Sequence, residues 1–152
     1  MGVRIGSTGL NVTDLDRSVT FYTRTLGLVE IRRSADGGRR WAHLGAGKDV
    51  LLTLWQQAHG AFTRSAVGLH HLSFEVGTGK ELSALEDRLR HLNVALRGDQ
   101  GAVGELSRSG QIFFRDPDGI RVELFTDDPA ADGPSPLGAP ACGFYEEEPK
   151  AV

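Results

Sequence analysis

Two residues, His71 and Glu123, offer the most chemistry in this 152-residue chain. An imidazole and a carboxylate, if brought together, suit iron, manganese, nickel or zinc, because both are ordinary ligands for each of these ions. Without metal they make an acid–base pair, in which Glu123 accepts a proton and His71 orients or charge-pairs it. Trp41, Trp55, Phe113 and Phe125 add flat apolar surface in a chain that is only 7% aromatic. Aromatic faces beside a few polar groups suit a planar organic ligand. Packing of the tryptophans at strand edges or in a dimer contact is the competing reading, and the sequence leaves both open.

The elements that must position these residues occur twice in the same order. The first segment opens with a strand-like run, Ile5 to Val12. A helix pattern follows, with Asp14 as N-cap and Leu15, Val19, Tyr22 and Leu26 on one apolar stripe. Gly27 stands where a helix C′ glycine belongs. Three strands are then expected at Val29–Arg33, Arg40–Leu44 and Val50–Gln56, separated by glycine-rich turns. The second segment repeats this with a strand at Leu69–Val76 and a helix stripe of Leu82, Leu85, Leu89 and Leu92. Its further strands are expected at Val94–Arg97, Gly110–Arg115 and Ile120–Thr126. Between the last two, Asp116-Pro117-Asp118-Gly119 is a strong turn signal, since proline presets φ and glycine takes the left-handed position. Ser7 aligns with His71 and Thr53 with Glu123. The second offset is longer by a few residues, which the glycine-rich loop from Gly98 to Gly110 accommodates.

Strand alternation assigns the faces. Leu10, Val12, Leu52, Leu54, Leu72, Val122 and Leu124 turn toward the helices. The opposite, ligand-binding face collects Ser7, Asn11, Trp41, His43, Thr53, Trp55, His71, Ser73, Gln111, Phe113, Arg121 and Glu123. His70 falls on the helix side, so a hydrogen-bonded core histidine is expected there.

Composition excludes other classes. A net charge of -3 gives no electrostatic support for nucleic-acid binding. No apolar run is long enough to cross a membrane, and the first residues lack a secretory core, so a cytoplasmic protein is the default. Cys142 is the one cysteine, which leaves no internal disulfide. The reading is one domain over residues 1–126, with modules 4–57 and 68–126. A tail over 127–152 holds all but one of the six prolines.

Three pieces of sequence resemble one family. Asn11-Val12-Thr13-Asp14-Leu15-Asp16-Arg17-Ser18, with Phe21-Tyr22 and Leu26-Gly27-Leu28, resembles the module opening of the vicinal oxygen chelate superfamily, which includes glyoxalases, bleomycin resistance proteins and extradiol dioxygenases. Gly68-Leu69-His70-His71-Leu72-Ser73-Phe74 resembles its second-module opening, and Phe114-Arg115-Asp116-Pro117-Asp118-Gly119 with Val122-Glu123-Leu124 its closing hairpin. The resemblance implies an α+β fold of two βαβββ modules whose mixed sheets form a curved cleft with helices outside. It implies a homodimer, and a metal position at Ser7, Thr53, His71 and Glu123. The chain departs from the extradiol ligand set of two histidines and a carboxylate, because Ser7 stands where the first histidine belongs. Three arrangements follow: a metal-free cleft, His43 as third ligand, or substrate oxygens completing the shell. The expected function is metal-free binding of a small aromatic molecule, such as antibiotic or metabolite sequestration. The alternative is a metal-dependent lyase, isomerase or dioxygenase using His71 and Glu123.

Overall fold

The computed structural model describes residues 2, 6–34, 38–96 and 110–128. Strand β1 (Thr8–Val12) leads into helix α1 (Leu15–Leu26), followed by β2 (Val29–Ser34), β3 (Trp41–Ala46) and β4 (Asp49–Gln56). The second half runs β5 (Leu72–Glu75), α2 (Gly79–His91), β6 (Gln111–Arg115) and β7 (Arg121–Phe125). Helix α1 starts where the sequence places it. The Asp14 side chain accepts a hydrogen bond from the backbone N–H of Arg17, and Gly27 closes the helix at φ 71°. Thr78 caps α2 in the same way, through Glu81.

The first sheet has the order β1-β4-β3-β2 and the second β5-β7-β6. Both are mixed: β1 pairs with β4, and β5 with β7, in parallel, while the hairpins are antiparallel. The registers are equivalent. Gly9 lies opposite Thr53 as Ser73 lies opposite Glu123, and His43 opposite Thr53 as Phe113 opposite Glu123. Of the fourth strand expected at Val94–Arg97, the described residues show a bridge between Leu96 and Phe114, and Arg97 lies outside them. Asn93 at φ 55° turns the chain just before this bridge. Strands β1 and β5 begin later than the apolar runs suggest, at Thr8 and Leu72. The loop from residue 98 to 109 and the tail beyond Asp128, with Cys142, Phe144 and Tyr145, lie outside the described residues. Among the described residues no helix is long and apolar enough to cross a membrane.

Each helix buries its stripe on one face of its own sheet. Leu15, Val19 and Tyr22 pack on Leu10, Val12, Ala42, Leu44, Leu52 and Leu54, while Leu82 and Leu89 pack on Leu72, Ile112, Val122 and Leu124, all in one continuous core. Removing this surface from water is the main stabilising contribution, at roughly 25 cal/mol per Å² of apolar area.

The two modules are joined where α1 meets the β6–β7 turn. The Tyr22 hydroxyl donates to Asp116 Oδ2 at 2.9 Å, and Asp116 Oδ1 accepts from the backbone N–H groups of Asp118 and Ile120 at 3.0 and 2.8 Å. Asp118 accepts from the Thr13 backbone N–H at 3.1 Å and from the Arg17 guanidinium at 2.6 Å. The rings of Phe21 and Phe114 stand 6.1 Å apart beside this network. Burial pushes the Asp116 carboxyl above its usual range despite its donors, and burial next to Asp116 pushes the Tyr22 phenol well up.

Candidate functional site

Strand pairing brings His71 and Glu123 together. Ser73 and Glu123 are register partners on β5 and β7, and His71 lies two residues ahead of Ser73. His71 Nε2 is 3.2 Å from Glu123 Oε2, and the Ser73 hydroxyl donates to the same oxygen at 2.6 Å. Both contacts use Oε2. Among the described residues no hydrogen bond or ion pair is made to Oε1, although Glu123 is only 5% exposed.

Arg121 lies on the same face. Its guanidinium carbon stands 4.3 Å from the centroid of the Phe113 ring, a cation–π contact. Both residues are buried, Arg121 to 3% exposure. Alternation alone places them on an open face, and the tertiary structure buries both side chains. Gln111 is half-buried and pairs with Phe125 at the far end of the hairpin.

His70 departs from expectation. It is exposed, not in the core, and its Nδ1 meets His71 Nδ1 at 2.8 Å. The sequence places His70 on a strand, but β5 begins only at Leu72, so alternation does not govern its direction. Partial desolvation, then the neighbouring His71 and Arg121, hold its pKa below the ordinary histidine value.

The remaining candidates gather on the first sheet. His43 Nδ1 lies 3.0 Å from the buried Thr53 hydroxyl. Trp41 stands 4.6 Å from the His43 ring and 6.2 Å from Trp55, with Arg32 placed 5.8 Å over it. Trp55 is 41% exposed. Gly9 leaves the sheet bare beside it, since a Cβ there would lie 3.8 Å from Trp55 Nε1. Asn11 is exposed and accepts a hydrogen bond from Gln57 Nε2 at 2.6 Å, and Ser7 is exposed ahead of β1. Gly9 falls on the Ser7 and Asn11 face by alternation, whereas nothing in the sequence singles out Arg32.

The donor set does not fit a complete metal site. Among the described residues no group of three or more His, Cys, Asp or Glu side chains could hold an ion. His71 and Glu123 converge, but the position the resemblance gives to a histidine holds Ser7, a poor donor for a soft or borderline cation. His43, the candidate third ligand, is bonded to Thr53 on the other sheet.

A model of the Glyoxalase/Bleomycin resistance protein/Dioxygenase superfamily matches residues 4–124. The chain belongs to this superfamily. It is 31% identical over 128 residues to a catechol-2,3-dioxygenase of Bacillus subtilis, a match over 82% of this chain but only 42% of that relative's length. The chain thus spans less than half of that protein. A glyoxylase/bleomycin resistance protein/dioxygenase domain from Frankia has a similar structure, with a TM-score of 0.68, 27% identity, and coverage of 83% of this chain and 93% of that one. The glyoxalase I of Leishmania major superposes with a TM-score of 0.61 at 27% identity, over 83% and 88%. A fosfomycin resistance protein from Listeria monocytogenes, solved with Mn(II) and a dihydroxypropylphosphonic acid, has a TM-score of 0.62 at 19% identity over 82% and 93%, a likeness of fold alone. Superfamily members therefore differ in chemistry on one architecture, and the site must supply the function.

Proposed function

We propose that this superfamily member binds a small, flat organic molecule bearing a hydroxyl or N–H donor, without a resident metal. Glu123 carries this reading. Its Oε2 is held by Ser73 and His71, which fixes the carboxylate and leaves Oε1 to accept from a ligand. On the first sheet Trp41 and Trp55 supply apolar surface beside His43, Thr53 and Asn11, and on the second Gln111 and Arg121, the latter over Phe113, are the further polar groups of the proposed binding face. The proposal includes a cytoplasmic homodimer, because an exposed Trp55 and the open sheet edge at β2 are features that pairing of two chains would cover.

Catechol, whose ring carries two donors, is the probe. Calorimetry should show saturable binding to wild-type protein dialysed against chelator. Glu123→Gln should weaken it at least tenfold, about 1.4 kcal/mol, and His71→Ala should weaken it without unfolding the protein. One equivalent of metal in protein as purified, lost together with catechol binding in His71→Ala, would replace this reading with the metal-dependent lyase, isomerase or dioxygenase.

A further inference from the structure

The repeat makes two junctions between helix and opposing hairpin, and among the described residues only one of them is filled. At the first, Thr13, Arg17, Phe21 and Tyr22 of module one meet Phe114, Asp116 and Asp118 of module two. Matching the N-caps Asp14 and Thr78, and the register partners Thr53 and Glu123, gives the counterparts at the second junction. Gly77 stands for Thr13, Leu85 for Phe21 and Glu86 for Tyr22, while Ala46 stands for Asp116 and Lys48 for Asp118. Every substitution removes bulk or removes the latch. Glu86 turns to Arg90 of its own helix, with Nη2 to Oε1 at 2.9 Å. What remains is a cavity of about 450 Å³, floored by Leu26, Leu28, Leu51, Phe74 and Leu85. Its size is within the range of small-molecule sites.

The charges at its mouth choose the occupant. Glu75, Glu81 and Arg88 line the rim. The Glu81 carboxylate is engaged by the Thr78 hydroxyl at 3.0 Å, in the capping of α2. Arg88 reaches across to α1, where its Nη1 would lie 3.3 Å from a Cβ placed on Gly27. Among the described residues its guanidinium makes no ion pair. We infer that this cavity is a second binding site, separate from the Glu123 face, for an apolar molecule that ends in one carboxylate. The hydrocarbon lies against Leu26, Leu28, Phe74 and Leu85, and the carboxylate meets Arg88, whose planar fork suits it.

Decanoate below its micelle concentration, titrated into isotope-labelled full-length protein, tests this by amide NMR. Saturable shifts are expected at Phe74, Gly77, Leu85 and Arg88. Arg88→Gln should weaken decanoate roughly tenfold while leaving decanol binding unchanged. Leu85→Phe, which installs the Phe21 counterpart, should abolish binding of both, with wild-type circular dichroism as the check that the variant folds. His71→Ala should bind decanoate normally, which separates this site from the proposed catechol site. Shifts confined to Trp41, Trp55 or His71, an absence of saturable shifts, or unchanged affinity in Leu85→Phe would overturn the proposal.

Discussion

The two inter-module junctions are built from the same repeat and came out opposite. Around Asp116 and Asp118, buried carboxylates are held by a phenol, a hydroxyl, a guanidinium and backbone N–H groups. Around Leu85, smaller apolar side chains and a glycine leave a cavity among the described residues. Duplicated elements therefore need not share a role. The filled junction fixes how the modules sit, so the equivalent one is free to lose its latch. Buried polar networks suit the fixing role because an unmet donor or acceptor is costly, which makes one arrangement strongly preferred.

Breaking the filled junction should have the largest effect. Asp116→Ala strands the Tyr22 hydroxyl and the N–H groups of Asp118 and Ile120, and should cost about 2–4 kcal/mol in urea unfolding. A loss under about 0.5 kcal/mol would show the turn to be held by backbone geometry alone. Tyr22→Phe should cost less, about 1–2 kcal/mol, since Asp116 keeps its two backbone donors.

The same variant sharpens the comparison through pH. Tyr22 is raised in the folded state, so its contribution is fully present below the unfolded value near 10 and is lost as pH rises toward the folded value. Wild-type stability should then decline above about pH 10, and Tyr22→Phe should flatten that limb. Equal slopes would place the alkaline loss elsewhere. Asp116 acts with the same sign at lower pH: its raised carboxyl favours folding when protonated, and that contribution disappears as pH rises through its folded value.

Filling the open junction should do the reverse. Leu85→Phe is expected to stabilise by about 0.5–1 kcal/mol, since added carbons enter an existing cavity. A fall in melting temperature would mean that the cavity cannot admit a ring. The smallest effect belongs to Arg17→Ala. Arg17 is half exposed and Asp118 keeps Thr13, so about 0.5 kcal/mol should be lost, and less at high salt.

Much of the frame was readable beforehand. Asp14, Gly27 and the Asp116–Gly119 turn act through local backbone geometry, which residue type fixes without distant partners. The Leu15, Val19 and Tyr22 stripe and the Thr53–Glu123 equivalence follow from periodicity, because burial needs one face per element. Glu123 sits where alternation within its strand puts it, whereas His71, one residue ahead of Leu72, meets it through the conformation of the chain entering that strand. His70 was misassigned because alternation holds only inside a strand, and its strand starts two residues later. Burial of Arg121, stacking of Arg32 on Trp41 and the contrast between the two junctions were decided by the tertiary structure alone. Each depends on which side chains from distant segments meet, and residue type and spacing within one segment carry no record of that.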